Sequence, residues 1–265
     1  MQTHRKNAIV TGAYGAIGQS IAEGIAAKGF RVALAGLDKS RLEKARSSII
    51  QRTSNPEIFF EVVDLSSQKE ILEFSRRWER PLNLLINNAA TAPRLRTETP
   101  EGIEVQWATN VLGYFWMMKY FQLFMEGVPD ARIVNVASYW AGDMDLCDPE
   151  FKNRRYDNDA AYRQAKQANR MLSVAFAGRL KKKGITVNAC HPGDVNSKLS
   201  NAFGFGGSES PAQGAATPLY LSLSEDVREI TGQYYEHLKP VVCHFGKDVT
   251  AVEQLYNLCN KVNKL

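Results

Sequence analysis

Short aliphatic runs alternate with helix-length segments along the chain, and this alternation limits the possible folds more than any other feature. Runs rich in Val, Ile and Leu recur at residues 7–10, 31–35, 58–63, 82–86, 132–136 and 185–189. Each is short and apolar enough to be a strand buried on both faces. Between them the spacing becomes helical. Ile17, Ile21 and Ile25 fall on one face, and residues 40–50 and 68–78 are helix-length and charged on one side. A long helical segment spans 159–182, and a last one spans 247–262 with Val249, Val252, Leu255 and Leu258 on one stripe. Strand–helix–strand repetition with short connections predicts an α/β fold, a doubly wound parallel sheet with helices on both faces. Ligands of such sheets bind beyond the carboxyl ends of the strands, where strand order reverses. The residues just after each strand are therefore the candidate functional positions.

The 265 residues suit one domain spanning 1–265, near the upper size for a single core. The net charge of +5 is mild, and the one basic run, Lys181 to Lys183, precedes Gly184. That pattern reads as the last turn of a helix, where cations suit the dipole and glycine ends the helix. No nucleic-acid surface is expected. Cys147, Cys190, Cys243 and Cys259 lack CxxC spacing, and His4, His191, His237 and His244 lack HxxxH spacing, so neither a disulfide framework nor a metal site is expected. The longest greasy stretch, 111–125, contains Lys119 and Gln122 and is too short to span a bilayer. With no signal peptide or membrane anchor read at the N-terminus, a cytoplasmic location is expected.

After the first run comes Thr11-Gly12-Ala13-Tyr14-Gly15-Ala16-Ile17-Gly18. Glycines in a strand-to-helix turn let the backbone approach a diphosphate, and the helix N-terminus offers free N–H groups and a positive dipole end. The segment resembles the TGxxxGxG motif of the short-chain dehydrogenase/reductase family, with Ala16 in place of the second motif glycine. That resemblance implies a Rossmann-like fold and a nicotinamide cofactor held by Gly12, Tyr14, Gly15, Ala16, Ile17 and Gly18. The second run ends Gly36-Leu37-Asp38-Lys39-Ser40-Arg41. Carboxylates at this place bind the ribose of NAD, and basic residues bind the extra phosphate of NADP. Position 36 is Gly, and position 37 is Leu where many NADP-using relatives carry Arg. Lys39 and Arg41 could meet a 2′-phosphate, whereas Asp38 could reach ribose; NADP(H) is favoured over NAD(H). Further on, Asp64-Leu65 resembles the family's adenine-contacting pair. Asn87-Asn88-Ala89-Ala90 resembles its NNAG motif, which adds Asn88, Ala89 and Ala90 to the cofactor contacts.

Ser138 follows the fifth run, and Tyr162 and Lys166 lie four apart in the long helical segment. Tyr235 and Lys239 have the same spacing, but residues 232–239 read as a strand or edge segment. On a helix, such residues are neighbours about 6 Å apart; on a strand they are roughly 13 Å apart. Only the Tyr162 pair can share electrostatics closely. A free phenol, with a pKa near 10, is a poor acid/base at neutral pH. A neighbouring ammonium and a positive nicotinamide ring would favour phenolate. Tyr162 is thus the candidate proton donor and acceptor. Lys166 would tune it and hold the nicotinamide ribose, and Ser138 would bind the substrate oxygen. By resemblance Asn110 is the fourth catalytic residue, which kinks its helix and supports a water-linked proton path. After the sixth run, His191-Pro192-Gly193-Asp194-Val195-Asn196-Ser197 resembles the family's PGxVxT pattern. Pro192, Gly193, Val195 and Ser197 would contact the cofactor, and His191 is assigned to packing.

The wording of residues 184–193 and the long gap between Ser138 and Tyr162 resemble the retinol-dehydrogenase-like branch. The implied function is hydride transfer between NADP(H) or NAD(H) and a hydrophobic ketone, aldehyde or alcohol. The alternative is a catalytically silent cofactor-binding or scaffold protein, which Ala16 and Ala90 would permit. Two substrate loops are expected, 139–159 with Trp140 and Met144, and 196–211 with Phe203 and Phe205. Resemblance also implies a homodimer or homotetramer through residues 101–125 and 159–182. The apolar face of Val111, Leu112, Tyr114, Phe115 and Met118 could equally be plain core.

Overall fold

The computed structural model describes residues 5–204, 206–262 and 265, so His4 and Phe205 lie outside the described residues. Six runs form parallel strands: β1 (Asn7–Thr11), β2 (Arg31–Gly36), β3 (Ile58–Val62), β4 (Leu84–Asn87), β5 (Ala131–Val136) and β6 (Ile185–Cys190). They are joined by α1 (Ala16–Ala27), α2 (Lys39–Thr53), α3 (Gln68–Arg77), α4 (Gly113–Phe121) and α5 (Asn158–Leu180). Beyond β6 come α6 (Lys198–Ala202), α7 (Pro211–Leu223), β7 (Tyr234–Glu236), β8 (Lys239–Val241) and α8 (Val249–Lys261).

The sheet runs β3-β2-β1-β4-β5-β6-β7-β8. All its pairs are parallel except β7 with β8. Strand order reverses between β1 and β4, which pair with each other through Ala8–Val10 and Leu84–Ile86. The crevice at their carboxyl ends is where such a sheet takes its ligand.

Each face of the sheet carries its own apolar layer. Ile21, Ile25, Leu34 and Ile86 pack with α1, α2 and α7 on one side. Leu85, Phe115, Trp116 and Phe176 pack with α3, α4, α5 and α8 on the other. Fully buried side chains of this size each contribute about 1.5–3 kcal/mol of hydrophobic transfer.

Capping residues set where the helices start. Asp38, Ser67, Asp157, Ser197, Ser210 and Asp248 each accept a first-turn backbone N–H with a side-chain oxygen. The start of α1 differs: its N-cap is Gly15, with no side-chain cap. The lysine run forms a short 3-10 turn ended by Gly184 at φ 74°, the left-handed stop that its sequence predicts.

Two expectations are adjusted, and one open alternative is decided. Residues 232–239 do not form one extended strand: His237 and Leu238 adopt positive φ and turn β7 back into the antiparallel β8. The C-terminal stripe is rotated, so that Val252, Leu255 and Cys259 are buried while Val249 is 69% exposed. The Val111–Met118 face is core. Phe115 meets Phe176 at 5.4 Å and Tyr256 of α8 at 5.3 Å. The helix surface through which resemblance implied oligomerisation is thus occupied, at this contact, by the chain's own last helix. Among the described residues no helix is long and apolar enough to cross a membrane.

Candidate active site

At the β1–α1 turn, side chains are excluded by the backbone itself. Gly12 has φ +62°, and a Cβ there would lie 2.8 Å from the Ala89 Cα. A Cβ on Gly18 would strike the Gly12 carbonyl and lie 2.6 Å from the Asn88 amide nitrogen. The turn is tied to the end of β4, because Asn88 Nδ2 donates to the Thr11 carbonyl at 2.9 Å and the Asn88 and Ala89 N–H groups donate to Thr11 Oγ1. Ala16 is the first residue of α1. The result is a bare backbone cradle beside an uncapped helix N-terminus, the arrangement that accepts a diphosphate. The residues present therefore fit a dinucleotide.

At the end of β2, Tyr14 explains Gly36. A Cβ at position 36 would come within 2.6 Å of the Tyr14 ring, so the ring takes the space a carboxylate there would need. The Arg41 guanidinium lies over that ring at 4.2 Å and reaches the Tyr14 carbonyl at 3.5 Å. Asp38 is committed elsewhere. Its carboxylate accepts from Arg41 N–H at 3.1 Å and Ser40 Oγ at 2.8 Å, and these bonds hold it below the usual carboxylate range. Lys39 faces Glu43 at 3.9 Å, and Leu37 is exposed. Asp64 accepts from the Ser66 N–H and hydroxyl, while the Leu65 carbonyl lies against Gly113, where any Cβ would collide with it.

Across the crevice, α5 brings Tyr162 and Lys166 one turn apart, with Lys166 Nζ 5.5 Å from the Tyr162 ring centre. The Asp157 cap starts that helix just before them. Ser138, past the end of β5, hydrogen-bonds the Tyr162 phenol and accepts the Trp140 N–H on its Oγ at 3.0 Å. Lys166 is buried and donates to the Val136 carbonyl at 2.9 Å, an oxygen it shares with the Tyr114 hydroxyl at 3.2 Å. Burial pushes Lys166 down to about 8. Burial also pushes the Tyr162 phenol above its ordinary value, and the Ser138 hydrogen bond offsets this in part. Among the chain's own groups burial thus opposes the phenolate, whereas the expectation from the sequence counted the positive nicotinamide ring together with the Lys166 ammonium.

Asn110 sits in a π-helical turn, Trp107–Leu112, that precedes α4, in line with the expected helix irregularity. Its amide is bound on both sides by Thr91, at 2.9 and 2.8 Å, and donates to Gln106 at 3.3 Å. Gln106 in turn donates to Tyr156 Oη and to Asn158 Oδ1 at the start of α5, each at 2.9 Å. Asn110 thus reaches α5 through Gln106, a residue whose signal in the sequence is only its position one turn earlier.

On the third side, Gly193 has φ +110° and Val195 is buried, while Ser197 caps α6 in a reciprocal pair with Ser200. The cavity in front of Ser138 and Tyr162 is walled by Pro192, Gly193, Val195 and Ser197 together with Ile17, Leu199 and Phe203. Aromatic rings crowd the phenol: Phe203 is 4.9 Å from Tyr162, Trp140 is 5.9 Å from it, and the two are 5.5 Å apart. His191, read as packing, lines the same cavity. It is buried edge-on against Tyr139 at 4.6 Å, and burial pushes it down to about 4.

Comparison with known proteins places this arrangement. A family model described as short chain dehydrogenase matches residues 6–204. The chain belongs to the short-chain dehydrogenase family. Within it, the chain is 32% identical to retinol dehydrogenase 13 of Mus musculus over 88% of this chain and 76% of that protein. It is 32% identical to retinol dehydrogenase 12 of the same organism, over 97% and 86%. A probable oxidoreductase of Streptomyces lividans is also 32% identical, over 87% and 84%. The fold is shared with an uncharacterized protein of Mycobacterium paratuberculosis, at TM-score 0.81 and 24% identity over 96% and 92% of the two chains. It is also shared with YwfH, an NADPH-dependent reductase of bacilysin biosynthesis, at TM-score 0.70 and 20% identity over 88% and 96%. As a short-chain dehydrogenase of the retinol-dehydrogenase-like kind, the chain is an NAD(P)-dependent oxidoreductase.

Proposed function

We propose that this short-chain dehydrogenase transfers hydride between NADP(H), in preference to NAD(H), and a hydrophobic ketone, aldehyde or alcohol, with Tyr162 as general acid/base. One observation carries the reading: Tyr162, one turn from Lys166 and hydrogen-bonded to Ser138, faces a cavity ringed by Trp140 and Phe203. When bound, the nicotinamide supplies or accepts the hydride. The protein's part is proton handling and position. Ser138 and Tyr162 hold the substrate oxygen. In reduction the phenol O–H gives its proton to that oxygen; in oxidation the phenolate takes one from the alcohol. Lys166 sets the charge around the phenol, and with its value lowered toward about 8 it stands close to the working range. Asn110 and Gln106 support the route by which the proton is replenished.

The phosphate preference is supported by the exposed Arg41 over Tyr14, by Gly36 and by the engagement of Asp38 in a helix cap. The substrate class is supported by the rings about Tyr162 and by the retinol dehydrogenases among the relatives. The test is a panel of aliphatic and aromatic carbonyls with NADPH and with NADH, run on the unsubstituted protein and on Tyr162→Phe. Turnover with NADPH that falls by about 10²-fold or more in Tyr162→Phe is expected. Equal cofactor binding by both proteins with no turnover by either would overturn the reading.

A further inference from the structure

We infer that Arg170 is a positioning residue for the reaction, fixing Ser138 through its carbonyl; the inference rests on reading Ser138 as the group that binds the substrate oxygen. Tyr162, Lys166 and Arg170 follow one another at single-turn spacing on α5, so the helix face that carries the acid/base continues into a second cation. Arg170 is 7% exposed, an uncommon place for a guanidinium unless its donors are used. Two of them converge on one oxygen: both Nε, at 3.1 Å, and Nη2 donate to the Ser138 carbonyl. Nη2 also donates to Tyr234 Oη at 2.7 Å, and the guanidinium carbon lies over the Tyr234 ring, 3.6 Å from its centre. Glu236 stands 3.9 Å away as counter-charge, and the Phe245 ring is 5.6 Å away.

Ser138 needs such a partner. The β5–β6 ladder gives its last bond at Ala137, whose N–H donates to the Cys190 carbonyl at 2.8 Å. One residue later the chain has left the sheet. The peptide that follows Ser138 is then held at two points, its carbonyl by Arg170 and, two residues on, the Trp140 N–H by Ser138 Oγ. Rotating that peptide would swing both the Ser138 hydroxyl and Trp140, whose ring stands 5.9 Å from Tyr162. A rigid planar fork suits this task and a point charge does not. Tyr234, Glu236 and Phe245 also lie beyond residue 204, where the match to the family model ends. The clamp thus couples the shared catalytic frame to this chain's C-terminal segment.

The experiment compares Arg170→Met and Arg170→Lys, alone and with Ser138→Ala, by steady-state kinetics, cofactor titration and amide hydrogen exchange. Arg170→Lys keeps a charge opposite Glu236 and guards against loss of folding. In both variants kcat should fall by about tenfold to a hundredfold, the cost of a small misplacement. Cofactor dissociation constants should stay within about twofold, and added to Ser138→Ala neither change should lower kcat by more than about twofold, because one interaction cannot be lost twice. Independently of turnover, amides 138–141 should exchange about tenfold faster or more while those of 171–178 keep their protection. Unchanged exchange at 138–141 in either variant, or kinetic losses that multiply in the double variant, would overturn the inference. Absence of turnover by the unsubstituted protein would instead count against the functional reading, and the exchange result would still decide the role of Arg170.

Discussion

Single residues at this site take their properties from burial more than from their neighbours in sequence. His191 is the clearest case. The sequence assigns it to packing, and packed it is, but in the wall of the candidate cavity, between Tyr139 and His237 and 4.0 Å from Asp194. Burial holds it neutral to about pH 4, whereas in the unfolded chain it protonates near its ordinary 6.5. Between those values the unfolded state binds the extra proton, so stability contributed by His191 is fully present above 6.5 and is lost as pH falls through about 4. The size of that loss is about 3 kcal/mol at most. Urea unfolding at pH 7.5 and pH 4.5 should show a drop in stability that is smaller in His191→Phe than in the parent; equal drops would mean that other groups carry the acid sensitivity. The same physics explains what the Tyr162–Lys166 spacing could not show. Four-residue spacing on a helix specifies proximity, and the structure has it, but the direction in which the phenol shifts depends on how deeply α5 is buried, and a one-dimensional pattern does not carry that.

At the scale of elements, much of the molecule is legible in the sequence because helix and strand leave different periods. The six runs became β1 to β6, and strand order reverses between β1 and β4. The part that escapes is what happens after β6. The β7–β8 turn is made by His237 and Leu238 at positive φ, positions that glycine or asparagine usually signals, so the reversal left no mark. The N-terminus of α2 shows a similar ambiguity resolved by geometry. Asp38 in sequence could bind ribose, yet its oxygen caps the helix while Arg41, one turn on, lies open over Tyr14. The two roles predict opposite results. Asp38→Ala should lower the urea midpoint through loss of the helix N-cap, with little change in the ratio of NADPH to NADH use. Arg41→Ala should leave stability within about 0.5 kcal/mol, as surface changes do. It should raise the KM for NADPH by about tenfold, the loss of one charge-assisted phosphate contact, while the KM for NADH stays put. Reversal of that pattern would return the ribose role to Asp38.

For the whole molecule, the question is what covers the outer side of α4 and α5. Helices with this much apolar surface need a partner, and resemblance to the family suggested a second subunit. Here α8 supplies the partner from within the chain. Tyr256 closes an aromatic trio with Phe115 and Phe176, 5.3 and 5.4 Å away. Arg179 lies over the Tyr256 ring at 3.6 Å and pairs through both terminal nitrogens with Glu253, and Lys119 donates to Asn260 at 2.9 Å. Contacts from both α4 and α5 converge on one helix, so its docking and the integrity of that layer should be a single cooperative matter. Leu255 is fully buried at the centre of α8. Leu255→Ala should therefore lower global stability by about 2–5 kcal/mol, the cost of a core truncation, rather than merely fray the last helix. Removing residues 248–265 should expose Phe115 and Phe176 and make the protein self-associate with rising concentration in sedimentation velocity, in contrast to the full chain. If instead the full chain sediments as an oligomer that Leu255→Ala dissociates, then α8 serves contacts between subunits rather than sealing its own.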